Sequence, residues 1–129
     1  LYTFITPQIT ADVNFSLLGK TRFWNFLTRS YDPINAPKFK VNGKVAYNSD
    51  HGFHGNIGFR YIPEFDWSAG VHYGTIDQYL VIDSMVGYRF GKRYDLLLNI
   101  NNLNGDVHRE IIGGPKLGRH ITLKLNARF

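Results

Sequence analysis

The chain has 129 residues, with 15 lysines and arginines against 10 aspartates and glutamates, and a formal net charge of +5. It contains no cysteine, which excludes a disulfide framework and a thiolate metal site. No stretch approaches the roughly 18 consecutive apolar residues of a membrane-spanning helix. The basic residues are scattered, so a solvated surface or lumen explains them better than nucleic-acid binding does. Residue 1 is leucine, and we expect a mature or partial chain.

Apolar and polar residues alternate with a period of two in six segments, and this pattern predicts strands with one buried face. In chain order the segments are 9–17, 38–48, 53–67, 80–90, 94–102 and 121–129. The third is predicted to continue past Pro63 as far as Trp67. Only residues 17–27 could form a short amphipathic helix instead.

The connections between these strands alternate strictly between short and long. "NSDHG" joins the second strand to the third and "GKR" joins the fourth to the fifth, and both consist of turn residues. The remaining connections, about 18–37, 68–78 and 104–118, are long. This asymmetry is typical of an outer-membrane barrel with short periplasmic turns and long external loops.

Aromatic residues collect beside the short turns, always on the apolar faces. They are Tyr47, Phe53, Tyr88, Phe90, Tyr94 and Phe129. Aromatic rings favour the headgroup level of a membrane. The sequence therefore predicts a periplasmic aromatic girdle, with lipid covering the apolar faces.

The polar faces are predicted to line a lumen. Lys38, Lys40 and Lys44 share one polar face with Arg60 on the next strand. This set predicts a basic lumen wall that attracts an anionic solute or a carboxylate, although ordinary lumen polarity also accounts for it.

The predicted fold is all-β, an antiparallel up-and-down transmembrane β-barrel. Six strands are too few, because single-chain barrels of this kind have at least about eight. We therefore expect residues 1–129 to be one partial barrel, the C-terminal strands of a larger one, rather than one of several copies that share a barrel.

The final strand alternates without a break and places Ile121, Leu123, Leu125 and Phe129 on one face. An unfolded strand can be recognised by addition to an open sheet edge. We therefore predict that this strand is the signal for barrel assembly, and that these four residues are its recognised face.

No catalytic constellation emerges, and the chain is not expected to be an enzyme or to hold a cofactor or metal. His51 and His54 are three residues apart, and His72, His108 and His120 are scattered; a metal site would need convergent ligands. The pairs Asp77 with His72 and Asp106 with His108 lack a nucleophile and an orienting group. "IIGGPKLGR" matches no phosphate-binding loop.

Four pieces carry a family resemblance, in order, from about residue 35 onward. They are "NAPKFKVNGKVAY", "RYIPEFDWSAGVHYGTIDQYLVIDSMVGYRF", "LLLNINNLNGD" and "GPKLGRHITLKLNARF". Together they resemble the C-terminal strands of TonB-dependent receptors. "GTIDQYLVID" is most similar to receptors with an N-terminal carboxypeptidase-regulatory-like domain. Asn104 stands where that family usually has phenylalanine after Asn-Asn-Leu.

The resemblance implies a plugged barrel of about 22 strands in the outer membrane of a Gram-negative cell. It further implies active nutrient uptake, energy from a TonB–ExbB–ExbD-type complex and insertion by the barrel-assembly machinery. The plug and the TonB box are expected outside these residues, so contact with TonB would involve other parts of the receptor. The alternatives are a small or oligomeric outer-membrane barrel, porin-like or structural, and a soluble ligand-binding β-barrel.

Overall fold

The computed structural model describes residues 1–91 and 93–128, which form eleven strands and no helix. The strands are β1 (Tyr2–Phe4), β2 (Ile9–Leu17), β3 (Arg22–Asn25), β4 (Ser30–Pro33), β5 (Phe39–Asn48), β6 (Phe53–Ile62), β7 (Phe65–Ala69), β8 (His72–Ile76), β9 (Tyr79–Phe90), β10 (Tyr94–Asn101) and β11 (His120–Ala127). Accordingly, no helix in the described part of the chain is long and apolar enough to cross a membrane. The helix considered for residues 17–27 is wrong, because this segment contains the end of β2 and the whole of β3.

Seven of the described strands form one sheet in the order β1-β2-β5-β6-β9-β10-β11, and each neighbouring pair is antiparallel. All six predicted strands are present as β2, β5, β6, β9, β10 and β11. The sequence did not predict β1, a three-residue strand that pairs with β2 at the sheet edge. The up-and-down order of the main strands confirms the predicted topology.

The other four strands are two hairpins inserted into the long connections. The hairpin β3–β4 lies in the connection after β2, and β7–β8 lies in the connection after β6. The predicted extension of the third strand to Trp67 is wrong, since β6 ends at Ile62 and Trp67 belongs to β7. Pro63 explains the break, because proline has no N–H to donate to a sheet ladder.

The strand register separates the main sheet into two faces. Val45 lies opposite Ala11 and Ile57, whereas Lys44 lies opposite Asp12 and Gly58. What we call the apolar face carries Ile9, Ala11, Val13, Phe15, Leu17, Phe39, Val41, Val45, Tyr47, Phe53, Ile57, Phe59, Tyr61, Leu80, Ile82, Val86, Tyr88, Phe90, Tyr94, Leu96, Leu98, Ile100, Ile121, Leu123 and Leu125. The polar face carries Asp12, Asn14, Lys40, Asn42, Lys44, His54, Asn56, Arg60, Asp83, Arg89, Asp95, Asn99, Asn101, Lys124 and Asn126.

Within residues 1–91 and 93–128, no cluster of buried residues covers the apolar face. The accessible surface is 9456 Å², whereas a compact monomer of 14.8 kDa would expose about 7,000 Å². Of the described hydrophobic residues only Ile62, Ile76, Tyr79 and Val81 are buried. A soluble domain of this composition would bury its apolar strand faces, so the sheet requires an apolar environment outside the chain.

The small buried cluster lies on the polar side, at the end of the sheet that carries the long connections. Ile62 and Tyr79 are paired between β6 and β9, and Val81 lies opposite Arg60. Phe65 and Trp67 of β7 pack against this cluster. The hairpin β7–β8 therefore folds over the polar face rather than away from it.

The opposite end of the sheet is closed by tight turns, and we call it the short-turn end. In the turn between β5 and β6, Ser49 N–H donates to Phe53 O at 2.8 Å. Gly52 in this turn and Gly91 after β9 have φ values of 93° and 62°, which glycine adopts without steric cost. The turn residues of "NSDHG" and "GKR" thus set where the neighbouring strands begin.

Candidate functional site

Five of the six predicted girdle residues lie at the short-turn end of the apolar face. Phe53 lies opposite Tyr88, and Phe90 lies opposite Tyr94. The rings of Tyr88 and Phe90 stack at 6.5 Å, and those of Phe90 and Tyr94 stack at 5.4 Å. Tyr47, Phe53, Tyr88, Phe90 and Tyr94 are each 42–48% exposed. Phe129, the sixth, lies outside the described residues.

A second aromatic row, which the sequence did not predict, lies at the long-connection end of the same face. The ring of Phe39 is 6.2 Å from that of Phe15 and 6.1 Å from that of Tyr61. On β5 the rows are 47 − 39 = 8 residues apart, from Phe39 to Tyr47, or about 27 Å at the rise of an extended strand. Barrels carry an apolar band about 25 Å tall between two girdles, so the spacing suits a bilayer.

The predicted basic wall is mixed in charge. Lys44 Nζ lies 3.7 Å from Asp12 Oδ1, and Arg60 donates to Glu110 Oε1 at 3.2 Å. Asp83 lines the same cavity as Lys44 and Arg60, which has a volume of about 450 Å³. Carboxylates thus alternate with the cations along this surface.

The remaining lysines of the predicted wall sit apart from that cavity. Lys40 lies opposite Ser16 on the polar face. Lys38 precedes β5 and lines a separate cavity of about 250 Å³ with Arg22 and Asp66. The structure therefore does not gather the four basic residues into one site.

Two histidines lie buried beside carboxylates, and neither belongs to a metal cluster. The Nδ1 of His54 is 3.2 Å from Gly52 O, and its Nε2 is 3.4 Å from Asp95 Oδ1. At the other end His108 stacks on Tyr79 with ring centroids 4.1 Å apart. Within residues 1–91 and 93–128, no group of three or more histidine, aspartate or glutamate side chains converges to hold a metal ion.

His54 reaches Asp95 across an intervening strand because Gly87 has no side chain. His54 pairs with Gly87 in the sheet. A Cβ at position 87 would meet the imidazole ring of His54. The glycine thus allows a side chain of β6 to contact one of β10.

Residues 102–106 continue the hydrogen bonding of β9 beyond the end of β10. Leu103 N–H donates to Ile82 O at 2.6 Å. The Asn104 carboxamide accepts from Ile82 N–H at 3.0 Å and donates to Leu80 O at 2.6 Å, while Asp106 Oδ2 accepts from Leu80 N–H at 3.0 Å. Asn104, the departure from the receptor motif, therefore acts as a substitute for a backbone peptide group.

The two inserted hairpins are tied to each other at the long-connection end. Asn35 donates to Ser68 O at 2.8 Å and accepts from Ser68 N–H at 2.7 Å. Arg22 and Asp66 form an ion pair. The connection after β2 and the connection after β6 therefore form one polar contact.

The predicted assembly strand corresponds to β11 at one edge of the sheet. Ile121, Leu123 and Leu125 are 58%, 68% and 60% exposed on the apolar face. They lie opposite Ile100, Leu98 and Leu96 of β10. Their role as a signal stays a prediction, and Phe129 lies outside the described residues.

The sheet is antiparallel and up-and-down, with one exposed apolar face and one polar face. It has tight turns at one end and long connections at the other. This is the architecture of a section of a transmembrane β-barrel. Solved outer-membrane receptors share this fold. The siderophore receptor PiuA from Acinetobacter baumannii superposes with a TM-score of 0.73 at 18% identity, over 98% of this chain and 20% of that one. The ferric enterobactin receptor PfeA from Pseudomonas aeruginosa gives 0.75 at 13% identity, over 98% and 21%.

A third similar structure is the closed form of the ferric-catecholate import receptor Fiu from E. coli K12, with a TM-score of 0.74 at 22% identity over 97% of this chain and 19% of that one. The chain thus spans about one fifth of the receptors that it matches. The predicted fold, a set of antiparallel strands from a larger barrel, is confirmed. Scans against protein-family models and against curated proteins found no match.

Proposed function

We propose that this chain forms part of the barrel of a TonB-dependent outer-membrane receptor for active nutrient uptake. The observation that carries the proposal is the agreement in fold with the three receptors over 97–98% of the chain. The exposed apolar face between two aromatic rows supports it, because lipid is the environment that such a surface requires.

In the proposed orientation the apolar face contacts lipid and the polar face lines the lumen of the barrel. The short turns face the periplasm of a Gram-negative cell, and residues 104–118 face the outside. The remaining strands and a plug complete the barrel. The TonB complex acts through parts of the receptor outside these residues, and the barrel-assembly machinery recognises β11 with Phe129.

A ferric siderophore is the first substrate class to test. PiuA is described as a siderophore receptor, PfeA was solved with enterobactin, and Fiu imports ferric catecholates. The mixed-charge cavity of Lys44, Asp12 and Arg60 lies on the polar face where a solute would pass.

The test uses the full-length natural protein in its own outer membrane. Cells that lack the gene are compared with cells that carry it, in iron-limited medium with single siderophores as the iron source. Uptake of radiolabelled ferric siderophore should require the gene and should stop when TonB is removed. Uptake that continues without the gene, for every siderophore tested, would refute the substrate class. A protein recovered in the soluble fraction would refute the receptor itself.

A further inference from the structure

Three arginines gather on the polar side of the sheet at the short-turn end. Arg89 lies opposite Asp95, and Asp95 lies opposite Asn126 on the other side. Arg128 N–H donates to Arg93 O at 2.9 Å, which places Arg93, directly before β10, opposite Arg128, directly after β11. The strand alternation therefore puts Arg89, Arg93 and Arg128 on the same face as Asp95.

The three arginines line one polar cavity. Its volume is about 550 Å³, and its walls also include Gly91, Tyr94, Asp95 and Asn126. A cavity of this size is much larger than a single small oxyanion needs. Because its walls come from three neighbouring strands, it fits side chains of a polypeptide segment.

The charge of this cavity is not balanced by the described residues. Arg89 donates to the neutral Asn48 Oδ1 at 3.1 Å, and no carboxylate among the described residues is within ion-pair distance of the three guanidinium groups. Asp95, the carboxylate of the cavity wall, directs Oδ1 toward His54 Nε2 at 3.4 Å. Like charges on directly opposite residues destabilise a sheet, and arginine stays protonated. An anionic partner would remove this repulsion.

We propose that Arg89, Arg93 and Arg128 bind the carboxylates of an acidic segment of the plug inside the barrel. The proposal rests on the proposed function, which places a plug in the lumen. Guanidinium groups bind carboxylates through paired charge-assisted hydrogen bonds. Lipid headgroups are the less suitable partner, because the arginines lie on the face opposite the rings of Tyr88, Phe90 and Tyr94.

The experiment reverses the charge of two of these arginines in the full-length protein and measures how well the plug closes the barrel to a small solute. Wild type and the double variant Arg93→Glu/Arg128→Glu are reconstituted in liposomes with equal amounts of folded barrel. Entry of a neutral sugar is followed by liposome swelling. Loss of the paired contacts should raise the undocked population of the plug, and with it the swelling rate, about tenfold.

The control is Lys124→Glu, which reverses one charge on the polar face of β11, opposite Leu97, where the double variant reverses two. It should swell like wild type. If the glutamate variant does not fold, Arg93→Gln/Arg128→Gln decides, because it removes the attraction without adding repulsion. The proposal is overturned if the folded double variant swells as slowly as wild type. It is also overturned if Lys124→Glu swells as fast as the double variant.

Two further outcomes separate this proposal from its alternatives. Sealed variants that lose binding of inorganic phosphate would assign the arginines to a free anion and overturn the plug contact. Rapid sugar entry through wild type would refute a plugged receptor. A sealed wild type that takes up no ferric siderophore would refute only the substrate class.

Discussion

The side chain of Asn104 donates a hydrogen bond of 2.6 Å to the backbone oxygen of Leu80, 24 residues earlier in the chain. The same carboxamide accepts the N–H of Ile82. A carboxamide has one donor group and one acceptor, as a peptide group does, so Asn104 can extend the ladder of β9 where β10 has ended. Phenylalanine at this position could not make either bond.

The first prediction concerns the amide proton of Ile82. In Asn104→Ala this N–H loses its acceptor, so hydrogen exchange at Ile82 should accelerate about tenfold. Exchange is measured by mass spectrometry on the reconstituted full-length protein. Asn99→Ala, a change of the same size on the polar face of β10, should leave Ile82 unchanged. Equal protection in both variants would contradict the ladder extension.

The second prediction concerns the two faces of β11. Leu123→Arg should reduce stability in lipid by about 2–4 kcal/mol, as expected for a charge at the bilayer midplane. Lys124→Leu, on the adjacent polar face, should have little effect. Unfolding by denaturant in vesicles compares the two variants. The reverse order of stability would mean that the facing assignment is wrong.

The third prediction concerns sidedness. Asp50→Cys in the β5–β6 turn and Lys116→Cys after β10 place single thiols in a chain without cysteine. A membrane-impermeant maleimide on intact cells should label position 116 and not position 50. Gly113 is a poorer site, because its φ is 81° and a Cβ there would lie 3.2 Å from the His72 ring. Labelling of position 50 alone would invert the topology.

The fourth prediction concerns the space above Gly87. Gly87→Ala introduces a Cβ where the His54 ring lies, and such overpacking should destabilise the barrel by about 1–3 kcal/mol. The cost should shrink in the His54→Ala background. Gly118→Ala, with no heavy atom near its Cβ position, is the matched control. An unchanged cost without the imidazole would assign the overpacking to Leu97, whose Cδ2 would lie 2.8 Å from the new Cβ, and not to His54.

The sequence predicted the parts of the fold that depend on local alternation. Each strand of the main sheet from β2 onward repeats a period of two, and glycine and other turn residues mark the tight turns. The hairpin β7–β8 could not be predicted in this way, because its position depends on Phe65 and Trp67 packing against Ile62 and Val81. The prediction that the third strand continues to Trp67 also concealed the second aromatic row. In that prediction Tyr61 lies inside the strand and not near its end, where an aromatic row is expected.

Charge pairing depended still more on three-dimensional placement. Lys38, Lys40, Lys44 and Arg60 were grouped by strand face, but Glu110, the carboxylate that pairs with Arg60, is 50 residues away in the chain. Arg89, Arg93 and Arg128 were not recognised as a group, because the pairing of Arg93 with Arg128 depends on the β10–β11 register. A signal was available in the sequence, since Arg93 directly precedes the fifth predicted strand and Arg128 lies near the end of the sixth, at the same end of the sheet.

The buried cluster beneath β7–β8 has a mechanical consequence. Lifting this hairpin would expose Ile76 and Val81, which are 1% and 3% exposed, and would cost about 1.5–3 kcal/mol for each large side chain returned to water. That part of the rim therefore resists displacement. The β3–β4 hairpin is tied to this anchored part by the Arg22–Asp66 ion pair. Outward movement of the rim is therefore left to the tip of that hairpin, where Phe26 and Leu27 are 84% and 95% exposed.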